Sequence, residues 1–173
     1  MKRYTKVINN NTVIESSNKI VVIKDGMQII NPTEEMLLSD GWIENIESEE
    51  QKLYKAINYK RIDITEYYAS RKVSEFYIGG VSMWLDKATR AGLLLRFQAE
   101  QAQGLTDTTL WYNGQQFPLK VEQAIQMLYA IEMYASACYD NTQRHLAAVK
   151  KLKTIEEIEG YDYKSGYPEK LRF

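Results

Sequence analysis

The sequence has few of the residues from which small catalytic and metal sites are built. Its single cysteine, Cys138, and its single histidine, His145, stand seven positions apart in one predicted helix. That spacing separates them by about 10 Å along the helix axis, too far for a thiol–imidazole pair. One cysteine also excludes an intrachain disulfide and a cysteine-rich zinc site. We therefore expect both side chains to be structural.

The sequence also lacks a strong charge of one sign, long apolar runs and a phosphate loop. Its formal net charge is -1, whereas nucleic-acid phosphates require clustered cations. No apolar run approaches the roughly 18 to 20 residues that span a bilayer, and the first residues lack the apolar core of a signal peptide. The glycines are too scattered to cradle a phosphate. These absences predict no nucleic acid and no membrane as partners, no cofactor, no metal, no catalytic residue and no enzyme activity.

What the sequence does contain is tyrosine, with 13 in 173 residues. Tyrosine combines a large rigid ring with a polar tip, which suits protein interfaces and partly wet cores. The chain is 45% hydrophobic and 26% charged, as is typical of an ordinary folded protein. We expect it to be used in the cytoplasm or built into a particle assembled there.

The first 46 residues predict a small β-rich module. β-Branched and polar residues alternate, and breaks at Asn9–Asn11 and at Asp25-Gly26 predict short antiparallel strands joined by tight turns. A short helix should follow, capped by Asn31 and with Pro32 at its first position.

Residues 47–173 predict a mainly helical domain. A helix that begins near Ser48 leads to a hairpin around Gly79-Gly80, and Asp86 can cap a second helix. With a second hairpin and a long helix further along, the whole chain predicts an α+β fold. That fold has a small N-terminal antiparallel β module, then a helical domain with two short β-hairpins and one long C-terminal helix.

The second hairpin is signalled by Asn113-Gly114 between apolar runs, because both turn positions take positive φ. Aromatic residues lie on or beside the two hairpins, namely Trp84, Trp111, Tyr112 and Phe117. They suit cross-strand packing, and they also suit a stacking platform for bases or sugars. Without a basic groove, core packing is favoured for the tryptophans, and we expect Trp111 and Phe117 to pack near the start of the long helix.

The long helix should run from about Leu119 to about Leu152, with no glycine or proline inside it. Nine positions at alternating four- and three-residue spacing form a stripe along this helix, and seven of them are apolar. They are Ala124, Leu128, Ile131, Ala135, Cys138, Thr142, His145, Val149 and Leu152. The helix would be about 50 Å long, more than a compact domain of this size needs. Either two shorter helices cover its halves, or part of the stripe packs on another copy or another protein. Thr154 can then cap a last short helix.

Several segments resemble a known family. The segments VSMWLDKATRAGLLLRFQAEQ, TLWYNGQQFPL and YASACYDNTQRHLAAVKKLKTIEEIEGYDYKSGYPEKL resemble an uncharacterised domain family of phages and prophages, including those of gut Bacteroidetes. Members of that family often accompany tail-fibre or other virion genes. The segment DGMQIINPTEEMLLSDGW is similar to the opening module of phage tail-fibre-assembly and baseplate-associated small proteins. The resemblance covers most of the chain and transfers no catalytic residue.

The resemblance implies a phage structural or assembly protein. The first hypothesis is a virion structural protein, an adaptor or fibre-associated subunit that links fibre or tail to capsid or collar through contacts with other phage structural proteins. It would be made in the host bacterial cytoplasm and located in the virion. The alternative is a tail-fibre assembly chaperone that is absent from the mature particle. A small enzyme is a third hypothesis, disfavoured by the missing site.

Association is expected because the long stripe exceeds what one small domain needs and because near-zero net charge removes a repulsion between copies. We predict a homo-oligomer, or tight docking to a phage partner. The candidate interface residues are aromatic residues of the long helix and of the C-terminal tail: Tyr129, Tyr134, Tyr139, Tyr161, Tyr163, Tyr167 and Phe173. Truncation before Gly166 should then weaken assembly more than it weakens folding of the helical core.

Overall fold

The computed structural model describes residues 2–173 and combines helices and strands in an α+β fold, which confirms the predicted class. The chain divides into two compact units between Lys52 and Leu53. The predicted boundary lies a few residues earlier, after residue 46. The division falls inside a helix, Glu49–Ala69, whose first turn belongs to one unit and whose remainder belongs to the other.

The N-terminal unit contains short strands and one short helix. In chain order its elements are β1 (Arg3–Ile8), β2 (Asn11–Ser16), a 3₁₀ turn (Ser17–Lys19), β3 (Val21–Lys24), β4 (Met27–Ile30), α1 (Glu34–Ser39) and β5 (Ile43–Glu44). Strand β1 pairs antiparallel with β2 and with β5, whereas β3 and β4 form a separate hairpin. Positive φ at Asn9-Asn10 and at Asp25-Gly26 forms the two predicted turns.

The core of this unit is small and mostly aromatic or β-branched. Its buried residues are Tyr4, Ile20, Val22, Leu37 and Trp42. The cap of α1 corrects the prediction, because Thr33 and not Asn31 occupies the capping position. The Thr33 Oγ1 atom accepts a hydrogen bond from the Met36 amide at 3.3 Å, whereas Asn31 has a φ of 55° outside the helix. Pro32 is buried between them, and threonine two residues later is also a favoured capping residue.

The C-terminal unit contains the larger helices and the two predicted hairpins. Its elements are α2 (Glu49–Ala69) from Leu53 onward, β6 (Phe76–Ile78), β7 (Val81–Met83), α3 (Lys87–Ala102), β8 (Asp107–Tyr112), β9 (Gln115–Lys120), α4 (Val121–Val149) and α5 (Ile155–Glu159). Strands β6 and β7 pair across Gly79-Gly80. The predicted caps are confirmed: Asp86 accepts from the Thr89 amide at 2.7 Å, and Thr154 forms a capping box at α5.

The β8–β9 hairpin turns at Asn113-Gly114, as predicted, with φ values of 49° and 79°. Leu110 lies opposite Phe117, and both are buried. The expectation that Trp111 also packs inward is wrong, because its side chain is 57% exposed. Side chains alternate between the two faces of a strand, so burial of Leu110 places Trp111 on the outer face.

Helix α4 has 29 residues and begins at Val121, slightly later than predicted, because Pro118 and Leu119 are paired in β9. Its length is about 44 Å at 1.5 Å per residue. Most of the predicted stripe is buried by other segments of the same unit. The first half packs with α3 and the hairpins, including Phe97, and Cys138 in the second half packs with Val73 and tail residues. The stripe therefore needs no second copy to be covered.

Replacing Gly114 by valine should lower the free energy of unfolding by about 1–2 kcal/mol, because the left-handed φ at this position is unfavourable for a residue with a Cβ. Gly92→Ala is the matched control. Gly92 lies within α3, and apart from its two neighbours and the adjacent helix backbone nothing lies within 4 Å of the position its Cβ would take, so alanine should raise stability by about 0.5–1 kcal/mol. Urea unfolding followed by circular dichroism measures both. A valine variant as stable as the parent protein would contradict the assigned turn.

Candidate functional site

The segment after α5 returns along α4 and packs against it. Residues 161–173 contain almost no regular secondary structure, yet they contact buried polar groups of the second half of α4. We name this set of contacts the tail clamp. It has a polar part around His145, an aromatic part around Tyr67 and a β-bridge at the C-terminus.

The polar part of the tail clamp centres on His145, which is 8% exposed. Its Nδ1 atom lies 2.8 Å from the Tyr161 hydroxyl and its Nε2 atom lies 3.0 Å from the Ser165 carbonyl oxygen. The Asn141 amide also donates to that carbonyl at 3.0 Å. The Asn141 amide also lies 3.1 Å from His145 Nε2, so Nε2 contacts both a carbonyl acceptor and an amide donor. Asn141 and His145, one turn apart, thereby fix the loop at Ser165.

The aromatic part consists of tyrosines that pack edge to face. The rings of Tyr163 and Tyr167 each lie 5.8 Å from the ring of Tyr67 on α2. The Tyr167 hydroxyl lies 2.9 Å from Thr142 Oγ1. Nearby, the Tyr134 hydroxyl donates to the Val73 carbonyl at 3.0 Å. Tyr134 and Tyr167 each bury a ring and pair a polar group in the same place.

The chain ends in a short parallel bridge to β6. The Tyr77 amide donates to the Leu171 carbonyl at 2.9 Å, and the Phe173 amide donates to the Tyr77 carbonyl at 2.8 Å. The Phe173 ring packs edge to face on Phe76, with centroids 6.3 Å apart. The last residues therefore act as an added strand on the β6–β7 hairpin.

These positions change the expectation for the predicted interface residues. Tyr129, Tyr139 and Phe173 are 43%, 49% and 45% exposed, so they are accessible for contacts. Tyr161, Tyr163 and Tyr167 are half-buried and bind within the tail clamp. Tyr134 is 5% exposed, so it is not accessible for contacts with a partner: on α4 it faces the same side as the buried stripe. Because the tail supplies these contacts, we now expect truncation before Gly166 to damage folding of this unit directly.

The predicted structural role of Cys138 and His145 agrees with their surroundings. Cys138 is fully buried, its thiol donates to the Val73 carbonyl at 3.4 Å, and burial raises the pKa of that thiol. A thiol in such a place is not activated as a nucleophile. Within residues 2–173, no group of three or more metal-binding side chains is close enough to hold a metal ion.

A surface cleft of about 500 Å³ lies between α3, α4 and the end of α2. We name it the Trp84 cleft. Tyr68 and Tyr139 line it beside Trp84 and pack edge to face with centroids 6.0 Å apart. The Trp84 indole is held in place, because its Nε1 donates to Ser74 Oγ at 3.1 Å and the Arg71 guanidinium lies over its ring at 4.8 Å.

The charged residues of the Trp84 cleft fall into two groups. Arg90 is paired with Glu132 at 2.8 Å and also donates to the Leu85 carbonyl at 2.7 Å. Asp86 caps α3, and hydrogen bonds from the Thr89 amide and hydroxyl lower the pKa of its carboxyl. Lys87 and Asp140 also line the cleft, and the described residues provide neither of them with an ion-pair partner.

Sequence patterns did not find this cleft, because it depends on three helices that meet only in the fold. One signal is present in the sequence. Glu132, Ser136 and Asp140 recur every four residues and so share one face of α4. This face of α4 lies beside the buried stripe, and helical periodicity alone predicts that it is exposed to solvent.

The comparison with protein families covers most of the C-terminal unit. Residues 55–165 match the model of DUF4376, a domain of unknown function. The chain belongs to this family. The DUF4376 match contains every residue that lines the Trp84 cleft and the tail clamp as far as Ser165, whereas the N-terminal unit lies outside it. No curated protein and no solved structure matches the chain. Among residues 2–173, no helix has the length and apolar character needed to cross a membrane.

A double-mutant cycle tests the polar part of the tail clamp. His145→Gln and Tyr161→Phe should each lower the free energy of unfolding by about 1 kcal/mol, because each removes one partner of the part-buried hydrogen bond between His145 and Tyr161. Their effects should be non-additive by about 0.5 kcal/mol or more. Tyr163→Phe is the matched control, since the described residues offer no hydrogen-bond partner to its hydroxyl. Additive effects of the first pair would contradict the contact.

The Glu75–Lys170 ion pair should make tail docking depend on pH. The Lys170 ammonium lowers the pKa of the Glu75 carboxyl below its ordinary value of 4.5, against a smaller opposing effect of burial. A carboxyl with a lowered native pKa adds stability above its unfolded pKa and loses it as the pH falls through its native pKa. Glu75→Gln should therefore lower the free energy of unfolding by up to about 1 kcal/mol at neutral pH. It should have no effect at a pH low enough to protonate the carboxyl in both the folded and the unfolded state.

Thermal unfolding between neutral and strongly acid pH measures this difference. Glu169→Gln is the control, because the described residues give the exposed Glu169 no ion-pair partner. A loss of stability in Glu75→Gln that is the same at every pH would contradict the proposed pairing.

Proposed function

We propose that the chain is a phage virion structural protein, an adaptor or fibre-associated subunit that links fibre or tail to capsid or collar through protein–protein contacts. The resemblance of its segments to phage and tail-fibre-assembly proteins is the first support. The observation that carries the proposal is the apolar surface of the N-terminal unit, a region outside the DUF4376 match.

Two exposed apolar faces make up that surface. Thr5 pairs with both Ile14 and Ile43, so these three side chains form a row across the three-stranded sheet on the side opposite Tyr4. Val7 lies on the same side of the sheet and is 67% exposed, and Ile14 and Ile43 are 44% and 70% exposed. The sheet face consists of Thr5, Val7, Ile14 and Ile43. Tyr4 on the other side is buried. The sheet thus presents apolar side chains on both of its sides.

The second face belongs to the β3–β4 hairpin. Val21 pairs with Ile30 and Ile23 pairs with Gln28, while the intervening Val22 is buried. Val21, Ile23 and Ile30 are 46%, 67% and 71% exposed and form the hairpin face. A two-stranded hairpin with this pattern is marginal in water, so a partner that covers the hairpin face would also stabilise it.

The magnitudes suit docking of a partner. Full burial of one valine or isoleucine side chain contributes about 1.5–3 kcal/mol, and association costs about 4–15 kcal/mol. Six such side chains on the two faces are therefore of the right order to support association when both faces take part. Apolar surface exposed in this way on each face is typical of interaction sites.

The partners we propose are other phage structural proteins and further copies of this chain. The homo-oligomer now rests on these faces, because the α4 stripe is covered within its own unit. The exposed Tyr129, Tyr139 and Phe173 are further candidate contacts. A tail-fibre assembly chaperone uses the same surface transiently and is the alternative; a small enzyme is the weakest candidate. The proposed location is the virion, after synthesis in the host bacterial cytoplasm.

Mass spectrometry of purified particles from a phage or induced prophage that carries the gene separates the first two functions. A structural subunit should be detected at a fixed ratio to the other virion proteins. A chaperone should be present in the infected cell and absent from particles. Absence from both the particles and the assembly intermediates would contradict both functions.

A surface variant tests which face carries the association. Ile23→Thr, together with Ile30→Thr, removes apolar surface from the hairpin face and retains β-branching. We expect these changes to reduce self-association or incorporation into particles at least tenfold, with little loss of folding. Gln28→Thr is the matched control, because Gln28 lies opposite Ile23 on the same face. Light scattering and particle incorporation measure the effect, and equal behaviour of variant and control would remove the hairpin face from the proposal.

A further inference from the structure

The Trp84 cleft has the properties of a small-molecule site, which the proposed structural role does not require. Its volume of about 500 Å³ lies within the range of about 300–1,000 Å³ that ligand pockets occupy. Ser74 and Arg71 hold the indole of Trp84 in one orientation, and Tyr139 at its side is 49% exposed. A fixed, partly exposed aromatic wall offers apolar contact without ordering cost.

The charges of the cleft restrict what it can bind. Three of its five charged residues are committed within the fold: Arg90 and Glu132 to each other, and Asp86 to the Thr89 amide and hydroxyl. Lys87 and Asp140 lie exposed on the cleft, and no residue among 2–173 is paired with either. Their charges cancel, so the free groups select neither an anion nor a cation.

The chemistry of these two groups points to hydroxyls. An ammonium only donates hydrogen bonds and a carboxylate only accepts them, whereas a hydroxyl does both. A ligand with several hydroxyls can therefore satisfy Lys87 and Asp140 together and carry no charge. The hydroxyl of Ser136, which also lines the cleft on the α4 side, adds a further donor and acceptor. A sugar ring combines such hydroxyls with an apolar C–H face that fits an aromatic wall.

We propose that the Trp84 cleft binds an uncharged saccharide, with the sugar ring against Trp84 and its hydroxyls on Asp140 and Lys87. The site is independent of the N-terminal faces, and all of its residues lie within the DUF4376 match.

Nuclear magnetic resonance of the full ¹⁵N-labelled chain provides the test, because the indole N–H signals of Trp42, Trp84 and Trp111 are separate reporters. Comparison with the Trp84→Phe spectrum assigns the Trp84 signal. The probes are neutral mono-, di- and trisaccharides of glucose, galactose, mannose and N-acetylglucosamine, titrated to high millimolar concentration. We expect at least one to shift the Trp84 signal saturably and to leave the Trp111 signal unchanged.

Variants decide whether the assigned contacts bind the sugar. Asp140→Ala and Lys87→Ala, both at exposed helical positions, should raise the saccharide Kd at least about tenfold, as loss of a charged hydrogen bond does. Asp63→Ala, an exposed aspartate on α2, is the matched control and should leave the Kd unchanged. An unchanged Kd in Asp140→Ala would overturn the proposal.

Other ligands complete the test. Adenosine, uridine and a lysine-rich peptide are titrated in the same way. A Trp84 shift with one of these and with no saccharide would overturn the proposal in favour of that ligand class, and no shift with any saccharide would overturn it outright. Because these measurements use only the free chain, they leave the proposed virion role untouched whichever result is obtained.

Discussion

Burial of the long apolar stripe on α4 is the constraint on which the C-terminal unit depends. The two halves of that stripe are covered in different ways. α3 and the β8–β9 hairpin cover the first half with side chains such as Phe97 and Leu110, which are almost fully buried. The second half contains Asn141, Thr142 and His145, whose polar groups would cost free energy if they were buried without partners. The tail supplies those partners, and so an irregular segment becomes part of the core.

This arrangement connects stability with the proposed functions. A helix held along its whole length is a rigid support, and both the tail clamp and the Trp84 cleft take side chains from it. The charged pair of Arg90 and Glu132 joins α3 to α4 at the edge of the cleft, so the cleft is shaped by the same packing that buries the stripe. The apolar faces belong to the other unit. The chain thus separates its proposed docking surface from its proposed ligand site.

Local patterns predicted most of the elements, because turns and caps depend on a few adjacent residues. The structure has the turns predicted at Asn113-Gly114 and Gly79-Gly80 and the helix caps predicted at Asp86 and Thr154. The errors concern side chains whose burial depends on contacts with residues distant in the sequence. Trp111 points outward because Leu110 is the inward residue of its strand, and Tyr134 is buried because the tail and Val73 cover that side of α4. The Trp84 cleft was missed for the same reason, since no short segment contains it.

Native-state hydrogen exchange at low and at high protein concentration tests most directly whether the chain itself buries α4. If the tail completes the core, the amides of Tyr77 and Phe173, which bond across the terminal bridge, should be protected together with those of the second half of α4. Their protection should not change with concentration. Rapid exchange at Tyr77 and Phe173 beside a protected α4 would contradict this account. Protection of α4 that rises with concentration would also contradict it and would show that another copy covers the stripe.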